Sequence, residues 1–309
     1  MAILEAQEIR KEFGPLVAVN DVCLSVDEGD VLGLIGPNGA GKSTLLRMFG
    51  TLLRPTAGRA RLVGCDLTKD YLHIRKHVGF LPDFFNLYSD LTLGECLRFF
   101  AEAYGVPRSA IAARVEEVLS YIELADKRDS FIRHLSRGMV QRVGLGMLLV
   151  HDPQLFLLDE PASGLDPKAR IQLRNILRKL SAEGKTVIVS SHILTELSGF
   201  CSHVAIMNRG RIELSGAVDE IRRKVTGSMQ VEISVLGDPE QAVAMIRRLP
   251  LVSVVGVDRA TISVEMVGGP QELAGLNAHL VHGGIEVVRF AERKTDLEDL
   301  FMKISGDAP

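Results

Sequence analysis

Several features that define other protein classes are missing from this chain of 309 residues. It has no Trp, and aromatic residues make up only 5% of the sequence. No apolar run approaches the ~18 residues that a membrane-spanning helix needs. The 36 Lys and Arg residues are balanced by 39 Asp and Glu, so the chain lacks the basic surplus of a dedicated nucleic-acid-binding protein. We therefore expect neither a membrane span nor a nucleic-acid partner.

Cysteine usage indicates a reducing compartment. Four cysteines lie far apart and form no CxxC pair: Cys23, Cys65, Cys96 and Cys201. This spacing predicts buried thiols in a cytosolic protein and excludes a disulfide framework. The first 14 residues contain five charged side chains and no apolar core, unlike a secretion signal. We expect any contact with a membrane to be made through a partner protein.

The sequence contains enough apolar residues, 46% of the total, to form two folded domains. Residues 2–35 resemble short strands, and residues 92–150 have helical periodicity. Fully apolar segments then alternate with a helical segment, which predicts a parallel sheet covered by helices. The segments predicted as buried strands are Val31–Ile35, Leu155–Leu158 and Thr186–Ser190.

The pattern changes near residues 225–228. From Met229 to Phe290 it follows a β-α-β-β-α-β order, typical of a small split-βαβ sandwich. The chain after residue 227 has seven Lys and Arg against twelve Asp and Glu. We predict a first domain at 1–225, with a helical subdomain at about 90–150, and a ferredoxin-like α+β domain at 228–309.

A glycine-rich loop follows the first apolar strand and fits the GxxxxGK[ST] pattern. Glycines allow consecutive backbone N–H groups to surround an anion, and the next helix adds its positive dipole end. The lysine can bind the β- and γ-phosphates, and the serine hydroxyl can bind Mg²⁺. The predicted nucleotide-binding residues of this segment are Gly36, Pro37, Asn38, Gly39, Ala40, Gly41, Lys42, Ser43 and Thr44.

Two acids and a histidine follow the other apolar strands. Asp159 ends the strand 155–158 and is predicted to hold Mg²⁺ together with Ser43. Glu160 is suited to accept a proton from the attacking water. His192 follows the strand 186–190, and its imidazole is predicted to reach the γ-phosphate. Parallel strands end at one edge of a sheet, so these side chains should lie beside the glycine-rich loop.

Taken together with two further motifs, this set resembles the ATP-binding-cassette (ABC) ATPases over about residues 2–225. Residues 135–139 read LSRGM, which is similar to the LSGGQ signature, and residues 163–166 read SGLD, which matches the D-loop. The resemblance implies an ATPase with the corresponding α/β core, an antiparallel β subdomain and a helical subdomain. It also implies that Phe13 stacks on adenine and that His192 is the switch histidine.

The resemblance further implies that the site is completed by a second cassette. Ser136, Gly138 and Asp166 of one copy then face the ATP bound to the other, and a two-fold homodimer supplies this geometry. The chain would drive a separate transmembrane permease from the cytoplasmic face of the membrane. ATP binding would close the pair, and hydrolysis would open it.

Three positions depart from the family pattern. Arg137 replaces the first signature glycine and Met139 replaces the signature glutamine, as in exporter-type relatives. Asp83 stands where the family has its Q-loop glutamine. A carboxylate can approach Mg²⁺ or water but cannot donate a hydrogen bond when ionised. We expect Asp83 to contact the ATP site, with its role left open.

An exporter subunit is the leading hypothesis, because the carboxyl-terminal segment ending at residues 295–301 is similar to extensions of drug, antibiotic and polysaccharide exporter cassettes. An importer ATPase is the alternative within the same class. A soluble ABC-type ATPase acting on DNA or ribosomes is another, although the chain has no coiled coil and only one cassette. Phe84, Phe85, Leu87 and Tyr88 are equally compatible with a groove for a permease helix and with a subdomain core.

Overall fold

The structure is a computed structural model that describes residues 2–193, 200–218, 220–221, 229–250 and 252–292. The chain separates into two compact units, residues 1–218 and 219–309. The expected boundary at 225–228 and the segment 295–301 fall outside the described residues.

The first unit combines two sheets with helices. Its strands are β1 (Ala2–Phe13), β2 (Leu16–Asp27), β3 (Val31–Ile35), β4 (Ala57–Leu62), β5 (Cys65–Asp66), β6 (Val78–Leu81), β7 (Leu155–Leu158), β8 (Thr186–Ser191), β9 (His203–Asn208) and β10 (Arg211–Ala217). Its helices are α1 (Lys42–Phe49), α2 (Tyr71–His77), α3 (Leu93–Ala103), α4 (Arg108–Tyr121), α5 (Arg137–Leu149) and α6 (Pro167–Ala182), with short 3₁₀ turns at Ala125–Lys127 and Ile132–His134.

The larger sheet determines where the candidate site lies. Its strand order is β10-β9-β3-β8-β7-β6, with all pairs parallel except β10 against β9. Every residue of β3, β7 and β8 is buried, as expected for central parallel strands. The carboxyl ends of these strands therefore meet at one edge. The smaller sheet is antiparallel, with the order β2-β1-β4-β5, and shares an apolar core with α1.

Helices α3, α4 and α5 contact one another and form what we call the helical part, residues 92–150. Helix α3 begins with a capping box in which Thr92 and Glu95 each bind the other's backbone N–H. Helix α5 begins at Ser136, whose Oγ accepts from the Met139 N–H. The antiparallel, parallel and helical portions expected from the sequence are thus confirmed.

The second unit forms an antiparallel sheet with the order β12-β13-β11-β14. Its elements are β11 (Met229–Val235), α7 (Pro239–Ile246), β12 (Val252–Asp258), β13 (Thr261–Met266), α8 (Pro270–His282) and β14 (Val287–Glu292). Alternate residues of β11 and β13 share one core with both helices, so the helices cover the same face. The β-α-β-β-α-β order is present, and the ferredoxin-like assignment stays a prediction.

Candidate nucleotide-binding and catalytic site

The glycines of the loop between β3 and α1 allow a close backbone approach. A Cβ atom on Gly36 would lie 2.1 Å from the Met207 carbonyl oxygen, and one on Gly41 would lie 2.3 Å from the Ala18 carbonyl oxygen. Gly41 also has a φ of 104°, in the left-handed region. Helix α1 follows with no side-chain cap and no acidic residue in its first turn. Its N–H groups can therefore receive an anion.

Lys42 is buried at the centre of this loop, with 5% of the residue exposed. Its Nζ donates to the carbonyl oxygens of Gly36, at 2.7 Å, and Pro37, at 3.2 Å. The same atom lies 3.3 Å from Glu160 Oε1. These acceptors compensate for the burial of the ammonium group. The structure thus brings the loop lysine and the proposed general base into direct contact.

Asp159 lies at the end of β7 and is 1% exposed. Its Oδ1 accepts hydrogen bonds from Ser43 Oγ, at 3.0 Å, and Ser190 Oγ, at 2.7 Å. Its Oδ2 is buried and has no hydrogen-bond partner within the described residues. A buried carboxylate oxygen needs a partner. The donor set of Asp159 and Ser43 therefore fits a Mg²⁺ ion or one of its water ligands.

Glu160 follows with a φ of 47°, which is uncommon for a residue with a side chain. Its backbone N–H donates to Ser190 Oγ at 2.9 Å, which fixes this turn. His192 Nδ1 lies 2.7 Å from Glu160 Oε2. Lys42 and His192 therefore hold the two oxygens of one carboxylate. The histidine reaches the sheet edge as expected, and its partner there is Glu160.

Asp83 is half-buried and lies two residues beyond β6, whose Leu81 carbonyl oxygen accepts from the Asp159 N–H. Burial raises the pKa of the Asp83 carboxyl above its ordinary value, and the charges of Asp159 and Glu160 raise this pKa further. The charge of Arg137 partly offsets the effect. The residue at the glutamine position thus adds a third carboxyl group to the same edge.

Phe13 is 46% exposed, which argues against a role in the core. The Lys11 ammonium lies 5.1 Å from the centre of the Phe13 ring and donates to the Arg54 carbonyl oxygen at 2.9 Å. The ring borders a cavity of about 590 Å³ that also contacts the glycine-rich loop. The lining residues are Phe13, Leu16, Val17, Ala18, Asn38, Gly39, Ala40, Gly41, Lys42, Ser43, Thr44, Asp83, Glu160, Arg209 and Gly210.

The residues expected to act across a dimer do not line this cavity. Ser136 caps α5 and is exposed. Asp166 caps α6 by accepting from the Ala169 N–H at 2.9 Å. A Cβ atom on Gly138 would lie 2.6 Å from Ala169 Cβ, so this glycine lets α5 approach α6. Each of the three therefore has a structural role within its own chain.

Three residues in or beside the site have contacts there that the sequence did not predict. Ser190 orients both acids, and the only signal was a polar residue at the end of an apolar strand. Arg137 donates to the Ser163 carbonyl oxygen at 2.9 Å and links the LSRGM segment to the D-loop-like segment. Arg209 borders the cavity from a strand turn that belongs to none of the motifs.

The parallel sheet, the anion-binding loop and the adjacent acids define the class of the protein, a P-loop nucleotide-hydrolysing enzyme. The family described as "ABC transporter" matches residues 19–163. The Nod factor export ATP-binding protein I of Cupriavidus pinatubonensis is 34% identical over 99% of this chain and 91% of its own length. The daunorubicin resistance ATP-binding protein DrrA3 of Streptomyces coeruleorubidus is 33% identical over 96% of this chain and 94% of its own length.

Solved structures agree with this assignment. The ATP-binding subunit of an ABC transporter is 33% identical and aligns with a TM-score of 0.65 over 72% of this chain and 92% of its own. A dimeric ATP-binding cassette in a post-hydrolysis state, bound to ADP and Pi, is 27% identical. It aligns with a TM-score of 0.63 over 70% of this chain and 98% of its own length. The chain belongs to the ABC transporter family and is an ATP-binding, ATP-hydrolysing subunit of the exporter type.

Proposed function

We propose that this chain hydrolyses Mg²⁺-bound ATP within a symmetric pair of copies and thereby drives a separate transmembrane permease from the cytoplasmic face of the membrane. One observation carries the proposal. Five polar side chains converge at the carboxyl ends of β3, β7 and β8, next to a loop shaped for phosphate. They are Lys42, Ser43, Asp159, Glu160 and His192. We call these five residues and Ser190 the catalytic edge.

Asp159 and Ser43 are the side chains that would hold Mg²⁺, through the unpartnered Oδ2 and the hydroxyl oxygen. The described residues contain no group of three or more His, Cys, Asp or Glu side chains that could hold a metal ion. Mg²⁺ typically combines one or two protein carboxylates with water and substrate phosphates, which suits this donor set. When bound, Mg²⁺ would neutralise developing charge on these phosphates. Ser190 keeps Asp159 oriented for this purpose.

Glu160 is proposed as the general base. Its two oxygens contact Lys42 and His192 in the structure. A triphosphate competes for the Lys42 ammonium, because a phosphate carries more negative charge than a carboxylate. Oε1 of Glu160 is then free to accept a proton from the attacking water, while His192 continues to orient Oε2. Lys42 meanwhile stabilises charge on the γ-phosphate.

The pair of copies is proposed to meet at the amino terminus of α5. Ser136 there is exposed and does not line the cavity of its own chain. A helix amino terminus favours negative charge, so Ser136 and Gly138 suit the γ-phosphate bound by a second copy. Asp166 would approach the same seam. The related cassette with ADP and Pi is dimeric, which supports this arrangement.

The permease is proposed to contact the exposed aromatic residues of the segment 84–88, which precedes the helical part. Phe84 is 82% exposed and Tyr88 is 61% exposed. Phe85 instead packs inward, since a Cβ atom on Gly144 would lie 2.6 Å from its Cζ. The exposed side chains suit a short helix of another protein. Among the described residues, we find no helix with the length and hydropathy of a membrane span.

Export is the direction supported by the relatives, whose names mention Nod factor export and resistance to daunorubicin or linearmycin. These cargoes differ chemically from one another. The cassette alone therefore does not identify the cargo of this transporter, because the cargo pathway belongs to the permease. Purification of the chain from membranes together with a multi-span protein tests the proposed partner and location.

The catalytic assignment is tested with Glu160→Gln and Lys42→Ala. Because it removes the base while keeping the side-chain shape, Glu160→Gln should slow hydrolysis by about 10²–10⁴-fold and still bind ATP. It should also accumulate an ATP-bound dimer, seen by size-exclusion chromatography with light scattering. Lys42→Ala should lose ATP affinity. The exposed Glu5→Gln is the matched control and should behave as the wild type. Unchanged hydrolysis in Glu160→Gln would reject the assigned base.

A further inference from the structure

Arg209 occupies a backbone conformation that is unfavourable for its residue type. It lies in the two-residue turn between β9 and β10, where Asn208 pairs with Arg211. The φ angles of Arg209 and Gly210 are 45° and 80°. Positive φ at both positions is typical of a type I′ turn, which favours Asn or Gly at the first position. An arginine there stores backbone strain, and such strain often marks functional sites.

The turn is fixed against two walls of the nucleotide cavity. The Gly210 N–H donates to the Ala40 carbonyl oxygen of the phosphate loop at 2.9 Å. The Gly210 carbonyl oxygen accepts from the Asn20 N–H of β2 at 2.8 Å. A Cβ atom on Gly210 would lie 3.0 Å from the Ala18 carbonyl oxygen. The turn therefore lies where the strand that follows Phe13 meets the phosphate loop.

The Arg209 side chain borders the same cavity as Phe13 and Lys42. Arg209 is exposed, and its guanidinium has neither an ion-pair nor a side-chain hydrogen-bond partner within the part of the chain that the structure describes. By contrast, Lys42 is engaged with the loop carbonyls and Glu160. A guanidinium recognises phosphate through paired N–H donors. Arg209 thus presents an uncompensated cation at the boundary between the base side and the phosphate side of the cavity.

We propose that Arg209 is a nucleotide-binding residue whose guanidinium binds the α-phosphate. The α-phosphate connects the base-bearing ribose to the remaining phosphates, and the turn of Arg209 contacts the corresponding walls of the cavity. Lys42 acts on the distal phosphates, so the two cations divide the phosphate chain. This proposal rests on the proposed nucleotide-binding role of the phosphate loop and adds a contact outside its sequence motif.

Nucleotides of different length locate the contact. Equilibrium dialysis of the full chain would measure the affinities for ATP, ADP, AMP and adenosine. We expect Arg209→Ala to weaken ATP, ADP and AMP binding by a similar factor, roughly tenfold for a lost charge-assisted contact. Adenosine affinity should not change. Arg211→Ala is the matched control, because Arg211 is exposed, lies two residues away and does not line the cavity.

A second variant separates binding from folding. Arg209→Asn places a residue that tolerates positive φ at the turn, so the thermal midpoint should rise by about 2–4 °C as the backbone strain is relieved. The same variant should lose nucleotide affinity as Arg209→Ala does. Improved stability with weakened binding is not expected of a residue whose role is structural.

Three outcomes would overturn the proposal. Arg209→Ala could bind all three nucleotides as the wild type does, which would remove the contact altogether. The loss could be confined to ATP, which would assign the guanidinium to the γ-phosphate, or it could be equal for adenosine, which would assign it to the base or ribose. A Lys42→Ala variant with wild-type ATP affinity would instead reject the phosphate-loop role.

Discussion

The catalytic edge and the helical part of the first unit are held together by different kinds of contact. At the catalytic edge, buried polar groups satisfy one another: Asp159 accepts from two serines, and Glu160 contacts the Lys42 ammonium and the His192 imidazole. In the helical part, close contacts depend on shape. Gly138 faces Ala169, and Gly144 accommodates the ring of Phe85.

This difference separates two kinds of functional requirement. A proton-transfer site needs fixed donors and acceptors, since a misplaced buried charge is costly. In the proposed dimer, the helical part presents the amino terminus of α5 to a second copy, so its contacts must bring helices close without covering Ser136. Removal of a hydroxyl should therefore impair the first region most, and addition of a methyl group should impair the second.

Ser190→Ala removes a hydroxyl from the catalytic edge and should have the largest effect among the variants that compare the two regions. It deletes the donor to Asp159 Oδ1 and the acceptor of the Glu160 N–H in one step. We expect hydrolysis to fall about 100-fold, equivalent to about 2.7 kcal/mol of transition-state stabilisation. ATP binding without Mg²⁺ should change little. Ser120→Ala, at an exposed position in α4, is the control; equal rates in the two variants would contradict the predicted hydrogen-bond dependence.

Gly138→Ala adds a methyl group to the helical part. Its Cβ atom would meet Ala169 Cβ at 2.6 Å, so α5 must move away from α6. We expect the free energy of unfolding to fall by about 2 kcal/mol, measured by urea denaturation. Ala169→Gly in the same chain should restore most of the loss.

Gly275→Ala is the matched control for this prediction, because its Cβ atom in α8 would meet nothing within 4 Å. It should stabilise the second unit by roughly 0.5–1 kcal/mol, since alanine favours helix more than glycine does. Similar destabilisation by both alanines would show that close packing at Gly138 is not the cause.

The residue pattern predicted the fold more completely than it predicted the contacts within the candidate site. Apolar strands followed by Gly36, Asp159 and His192 were sufficient to predict the sheet edge, because parallel strands end on one side. Contacts made across distant segments were not predictable. Arg209 reaches the cavity from a turn after β9, and its relevance depends on the approach of Gly210 to the phosphate loop.

The segment 84–88 shows a second limit of what can be predicted from the sequence. Phe84 and Phe85 are adjacent and chemically identical, so composition could not assign them different roles. In the structure Phe84 is exposed, while Phe85 fills the space left by Gly144. The core hypothesis thus holds for Phe85, and the groove for a permease helix stays a prediction for the exposed Phe84. Gly144, which makes room for the Phe85 ring, is 59 residues away from Phe85 in sequence. A local sequence pattern therefore could not indicate this contact.

The last prediction concerns the contribution of His151 to the pH dependence of stability. It tests whether ring stacking alone can hold a polar ring in a buried position. The ring stacks on Tyr104 at 3.8 Å, and both of its nitrogens are buried without partners among the described residues. Burial lowers the His151 pKa from 6.5 to about 4. The charge of Asp152 raises this pKa, and the charge of Arg114 lowers it. The unfolded chain therefore binds this proton first as the pH falls, and stability should decrease below about pH 6.5. Between pH 7 and 5.5 we expect a loss of about 1 kcal/mol from this group, measured by urea denaturation. His151→Phe keeps the stacked ring and should lack this component; an identical pH dependence in both proteins would contradict the prediction.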